Sequence, residues 1–263
     1  MRLKKVAFFV AIGSLLFCQG FSRAFEFCLI DSAEAIKQDR LLVGIAAGFK
    51  EAANSAQFTR APSLLMGLGL YNNLDVRLNY YYLLLRHSPG FQHQNGSGDT
   101  VVALRYSPIH AFDTKIGLQV KAKVPSASDQ KGLGTKETDL YILSLLSRKL
   151  GNFTMDLNLG GAILGDPRSD SDQDLVVVGV GIGHPVARKI LLEAEFSVNG
   201  DPTDIRLSGY KRFNSRDILK AGVGTRFPAF FGMQAVLFAR AGLNEYSPNY
   251  EVSFGFCRTF DLP

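Results

Sequence analysis

A chain of 263 residues with 46% hydrophobic and 20% charged side chains is too apolar to stay unfolded, and it is long enough for one or two domains. Its formal charge of +5 comes without an arginine-rich stripe or an aromatic-interleaved basic patch, so nucleic acid is excluded as a partner.

At the start, Arg2, Lys4 and Lys5 precede an apolar run from Val6 to Cys18, followed by Gln19, Gly20, Ser22 and Ala24. This is the layout of a secretory signal peptide over residues 1–24, with Ser22-Arg23-Ala24 as the cleavage site. The run falls short of the roughly 20 apolar residues of a membrane helix, and an uncleaved anchor is the bland alternative. Phe17 stands where a lipoprotein signal needs a small residue before its cysteine, which argues against lipidation of Cys18. Cleavage removes Arg2, Lys4, Lys5 and Arg23 and no acidic residue, so the 29 basic residues fall almost level with the 24 acidic ones.

Residues 25–38 read as an N-terminal periplasmic or lumenal segment, and 39–263 as one domain of strands. Period two recurs throughout. Leu74, Val76, Leu78, Tyr80, Tyr82 and Leu84 alternate with Asp75, Arg77, Asn79 and Tyr81. Ile116, Leu118, Val120, Ala122 and Val124 alternate with Lys115, Gly117, Gln119, Lys121 and Lys123. The same holds from Phe153 to Gly160 and from Ile190 to Asn199. Weaker windows lie at 41–50, 63–71, 100–106, 140–150, 175–183, 205–213, 218–227, 233–243 and 250–260. Most have about the 9–11 residues that a tilted strand needs to cross a bilayer.

Tight turns at Asn72-Asn73 and Gly151-Asn152 alternate with long polar connections at 87–99, 125–139 and 165–174. Short turns inside and long loops outside are the habit of an outer-membrane barrel. A soluble sandwich is the alternative, but its strands are usually nearer five or six residues. The expected fold is therefore all-β, a closed antiparallel transmembrane β-barrel. The windows are odd in number, whereas termini on one side need an even count. About twelve strands is the estimate, with the surplus window sought at the hairpin around Asn214–Asp217, as a strand pair that extends beyond the membrane or as a bent strand; fourteen is the other even count.

The last window carries Tyr250, Val252, Phe254, Phe256 and Phe260 on its outer face. An aromatic terminal strand resembles the signal read by the barrel-assembly machinery, although Asp261, Leu262 and Pro263 follow it. In a closed barrel the first and last strands are neighbours, so Cys257 approaches the stretch that Cys28 leads into. Export places both thiols in an oxidising compartment. Either they form a disulfide that pins residues 25–38 to the wall, or both stay as unpaired buried thiols.

Several short motifs resemble a known family: Leu29-Ile30-Asp31-Ser32-Ala33-Glu34-Ala35, the turn Gly69 to Asp75, Gly98-Asp99, Val124-Pro125 with Gly132-Leu133-Gly134-Thr135 and Asp139, Leu157 to Gly160, and Gly242 to Phe260. Together they are similar to the MetA-pathway phenol-degradation family of exported barrels. The resemblance implies an outer-membrane barrel that passes hydrophobic or aromatic small molecules, and it carries no catalytic residues. This chain lacks the tryptophans common near that family's C-terminus.

Motifs with chemistry are sparse. Gly179, Gly181 and Gly183 lie inside a strand window, so they leave room in the lumen rather than cradle a phosphate. Gly132-Leu133-Gly134-Thr135 lacks a phosphate loop's ending and reads as a mobile outer loop. His87, His93, His110 and His184 read as loop, turn and strand-end histidines, too sparse for a metal and without triad context. No cofactor, metal or catalytic residue is expected. Inward parity collects Asp75, Arg77, Arg105, Lys121, Lys123, Asp156, Glu193, Glu195, Arg206 and Arg240, with Lys220, Arg226 and Glu251 beside them. They line a candidate solute path, or they pair and merely fill the interior. Outer-membrane lipid and a small solute are the expected partners. A non-transporting surface barrel and a lipid-modifying barrel enzyme are the alternatives.

Overall fold

The computed structural model describes residues 30–51, 57–87, 94–131, 133–165, 173–202 and 217–263. The signal peptide, Cys28, Arg206, the window at 205–213 and the histidine at 93 lie outside them. In chain order the strands are β1 (Arg40–Glu51), β2 (Gln57–Tyr71), β3 (Leu74–His87), β4 (Asn95–Ser97), β5 (Thr100–Ala111), β6 (Thr114–Val124), β7 (Asp139–Leu150), β8 (Phe153–Leu164), β9 (Gln173–Ala187), β10 (Ile190–Val198), β11 (Leu219–Pro228), β12 (Gln234–Gly242) and β13 (Tyr250–Asp261). The described residues include no α-helix, only a 3-10 turn at Phe230–Gly232.

Every strand pairs antiparallel with its neighbours, and β1 also pairs with β13 from Arg40↔Asp261 to Glu51↔Tyr250. That pairing closes a ring of twelve strands, with the short β4 added to the loop-side end of β3. Closure leaves no sheet edge, the condition for a sheet to stand in hydrocarbon, and it excludes the sandwich. β10 pairs directly with β11, so the ring needs no strand from 205–213 and the even count of twelve holds.

The turns between β2 and β3, β5 and β6, β7 and β8, β9 and β10, and β11 and β12 share one end with Arg40 and Asp261. We call it the turn end and the opposite one the loop end. The β5–β6 hairpin is tighter than the sequence windows suggest. Phe112 and Asp113 both take positive φ, at 48° and 60°, which is the two-residue primed turn that suits strand twist. His110 therefore belongs to a strand, not to a turn. Pro108 is absorbed by a register shift between Tyr106 and Ile109, since proline cannot donate to the ladder.

The outer surface carries Ile45, Leu104, Tyr106, Leu118, Ile142, Leu159, Val176, Ile182, Leu192, Val223 and Phe254, all exposed. A belt of this size would drive association in water but is satisfied by acyl chains. The interior has two apolar clusters. Ile36, Leu42, Leu65, Val236, Phe238 and Cys257 form one; Ala33, Tyr141, Leu143, Leu145, Ala162, Leu164, Leu175 and Val177 form the other. The interior is thus not uniformly ionic, as the alternation suggested: β7 to β9 turn greasy side chains inward too. Ile36 and Ala33 belong to neither wall. They come from residues 30–38, which run through the bore before β1.

Candidate functional site

The middle of the lumen is organised around Asp31. Its backbone N–H donates to Asn158 Oδ1 at 2.8 Å, and Asn158 Nδ2 donates back to its carbonyl at 2.7 Å. Arg105 Nη2 reaches the Asp31 carboxylate at 2.8 Å and Lys121 binds its other oxygen. Arg105 also donates to the Glu34 carbonyl at 3.2 Å and to Gln119 Oε1 at 2.9 Å. Burial by itself would raise the Asp31 pKa, but Lys121 and then Arg105 outweigh it and hold the carboxyl at about 2.

Further along, the Ala33 N–H donates to Ser147 Oγ at 2.7 Å, and Ser147 in turn bonds Asp156. The Ile36 N–H donates to Asp75 Oδ2 at 2.7 Å, while Arg77 holds Asp75 at 2.8 Å. Near the turn-end mouth Lys115 pairs with Glu34 at 2.9 Å. Residues without a ladder partner must find one elsewhere when buried, and here the wall's side chains supply it. Two glycines admit the segment. A side chain at Gly69 would collide with the Lys37 carbonyl, and one at Gly179 would meet Ile30 Cδ1 at 2.5 Å.

Arg77, Arg105, Lys220, Arg226 and Gln119 are each below 3% exposed, so the lumen is filled at their level. An open hollow of about 420 Å³ survives at the turn end, lined by Ser32, Glu34, His110, Lys115, Ser147 and Lys149 among others.

Nearer the loop end stand two more ionic groups. Lys123 pairs with Asp139 at 2.5 Å and donates to Thr135 Oγ1 at 2.8 Å, with Asp99 at 4.0 Å. Leu133 is buried beside them, and a side chain at Gly134 would strike the Asp99 carboxylate. Within the 125–138 connection, expected as a mobile outer loop, Leu133, Gly134 and Thr135 are buried against this pair instead. The second group places Arg240 on Glu195 at 2.5 Å and on Glu251 at 3.3 Å, with Lys220 at 3.6 Å from Glu251. Asp201 joins it, at 3.2 Å from Lys220, 3.9 Å from Arg60 and 4.0 Å from Lys50. Arg226 pairs with Glu193 at 2.6 Å.

The sequence-picked residues therefore divide. Arg105 and Lys121 meet at Asp31, Asp75 and Arg77 pair beside them, and Asp156 joins through Ser147. Glu195 and Arg240 meet in the loop-end group, Glu193 pairs with Arg226, and Lys123 stands with Asp139. Arg206 lies outside the described residues. Cys257 is buried among Ile36, Leu42 and Phe238 and bonds no sulfur among the described residues; Cys28, its expected partner, lies outside them. His184 stacks on Phe153 at 4.5 Å, and His110 lines the turn-end hollow.

Sequence reading missed Asp31, Lys50, Arg60, Asp99, Asp139, Asn158 and Asp201 as members of the lumen. Lys50 and Asn158 had the right parity in their windows; Asp31 and Asp201 lie off the strands, where no period marks direction.

No family model matches the chain, and no curated protein matches it. Solved structures do. An outer membrane channel from Pseudomonas putida F1 superposes with a TM-score of 0.63 at 12% identity, over 87% of this chain and 98% of that one. The NanC porin superposes with a TM-score of 0.56 at 10% identity, over 84% of this chain and 100% of that one. The fold is that of an outer-membrane β-barrel. Identities this low carry the architecture alone.

Proposed function

We propose that this barrel is an outer-membrane channel for passive entry of small solutes, hydrophobic and aromatic ones among them, and that residues 30–38 stopper it. One observation carries the reading: the bore is filled by a piece of chain that belongs to no strand. A barrel with a purely structural role can fill itself with wall side chains, as eight-stranded barrels do. Twelve strands leave a wider interior, and here a separate segment occupies it on hydrogen bonds and ion pairs that are individually breakable. The apolar panel on β7 to β9 offers a surface for hydrophobic solutes, and the family resemblance supports the same class. The similar solved structures are by name a channel and a porin. Acyl chains of the outer membrane cover the belt, a Sec signal exports the chain, and the barrel-assembly machinery reads β13. No catalytic role is assigned.

The sealed level of Arg77, Arg105 and Gln119 favours a second reading, a barrel that stays shut. Planar-bilayer recording with solute flux separates the two. Asp31→Asn and a deletion of residues 30–37 should conduct more than the wild type and pass small solutes. Zero conductance and zero flux in all three forms would establish the shut barrel.

A further inference from the structure

Along the outer face of β13 the alternation runs Tyr250, Val252, Phe254, Phe256, Arg258 and Phe260, so one cation stands in an otherwise apolar and aromatic row that faces lipid. Phe260 lies nearer the turn end than Arg258 does, by about 7 Å at the rise of a strand. The guanidinium is therefore set back inside the aromatic rim rather than at its edge. It is exposed, and among the described residues it has no carboxylate partner. The nearest acid along the strand, Asp261, is held by Arg40 at 2.8 Å. A charge that faces hydrocarbon without a counter-ion is costly.

The local structure nevertheless holds Arg258 there. β12 begins at Gln234, opposite Cys257, so beyond that pair Arg258 has a strand on one side only, where Val43 of β1 faces it. The Phe230–Gly232 turn fills the other side. Phe231 takes a left-handed φ of 55°, a conformation that strains a non-glycine residue, and its carbonyl accepts from Arg258 Nη1 at 2.7 Å. The Phe260 ring centre lies 4.9 Å from the guanidinium carbon. One donor and one face of the fork are thus used, and its other N–H groups have no acceptor among the described residues. From this notch Phe230, Phe256 and Phe254 run toward the loop end in ring contact, at 5.2 and 4.8 Å, beside the exposed Ile45.

We propose that Arg258, held by the Phe230–Gly232 turn, binds the phosphate of a glycerophospholipid in the leaflet around the turn end, with an acyl chain lying along Phe230, Phe256 and Phe254. That leaflet is on the side of the short turns, the periplasmic side in barrels of this kind. A planar guanidinium fork matches two phosphate oxygens and keeps its charge in apolar surroundings, which suits it to an anion drawn in from the headgroup layer. Free phosphate lacks the chain that the aromatic row accepts, and a neutral glyceride lacks the anion. The site rests on the barrel standing in a membrane and is independent of whether its lumen conducts.

The test uses the full exported chain folded in detergent micelles, with native mass spectrometry counting bound molecules as dimyristoylphosphatidylglycerol, dimyristoylglycerol or inorganic phosphate is titrated in. Phosphatidylglycerol should add a first copy that binds more tightly than those after it, and the other two should add none. Loss of the charge-assisted hydrogen bonds should make Arg258→Gln weaken that first copy about tenfold. Arg40→Gln, the same change of charge at the same end, should leave it unmoved. Heat-modified gel mobility reports folding. Should Arg258→Gln not fold, Arg258→Lys, which keeps the charge and loses the fork, should weaken the first copy several-fold. A first copy that survives loss of the guanidinium, an equal loss in Arg40→Gln, dimyristoylglycerol bound as tightly as phosphatidylglycerol, or displacement of the lipid by inorganic phosphate each overturns the site. A lipid-free dimer that Arg258→Gln splits overturns it too, and assigns the face to a second copy of the chain.

Discussion

The wall of β3, β5 and β6 and the wall of β7, β8 and β9 are built on the same two-residue alternation, yet they hold the N-terminal segment in different ways. The first presents Asp75, Arg77, Arg105, Gln119 and Lys121, which grip Asp31, the Glu34 carbonyl and the Ile36 N–H through directional bonds. The second presents Tyr141, Leu143, Leu145 and Val177, against which Ala33 packs, with Asn158 and Ser147 as its polar contacts. Ionic contacts set where the segment stops; apolar ones are indifferent to small slides. The difference explains how one segment is both placed and removable, because losing the Asp31 carboxylate breaks its pairs with Arg105 and Lys121 at once, while the panel then offers itself to any hydrophobic occupant.

Breaking the ionic side should have the largest effect. Arg105→Ala leaves Asp31 buried with one charged partner fewer, a loss of about 3–5 kcal/mol in segment docking. Single-channel recording should show a larger open conductance, and limited proteolysis should reach residues 30–38. A variant as closed and as protected as the wild type would mean that the ion pairs do not hold the segment.

On the apolar side the effect should be smaller and of another kind. Leu145→Ala removes a buried side chain from the panel and should cost about 2–3 kcal/mol of barrel stability in a lipid-refolding titration. Segment protection should barely move. If Leu145→Ala releases the segment as readily as Arg105→Ala does, the contrast between the walls is void.

Acid should matter least across ordinary conditions. The Asp31 carboxyl titrates at about 2 against an ordinary 3.8, so its folded pKa is depressed. The stability it contributes is complete above 3.8 and is lost only as pH falls through 2. Protease protection of residues 30–38 should stay flat from pH 8 to pH 4. A release midpoint near pH 6 would assign the latch to another group.

Much of the barrel was legible in the sequence. Alternation runs along one strand, so it marks which side chains share a face without knowledge of any partner strand, and all the described inward charges lie inside. Parity asked only for an even count, twelve or fourteen, and the pairing of β1 with β13 settled it at twelve. Pro108 hid the end of β5, since a proline reads as a break unless a bulge is there to absorb it. The 125–138 connection misled because glycine-rich polar stretches look mobile until something like Lys123 gives them a partner.

What the sequence determined by itself, then, is the two-faced ribbon, its length and the sign of the charges on its inner side. Tertiary closure decided which of those charges meet. Asp31 and Asn158 are 127 residues apart in sequence, and no local period relates them. Only joining β1 to β13 bends the ribbons around a common axis and encloses Asp31, Ala33 and Ile36, so that their backbone N–H groups bond to the wall rather than to water.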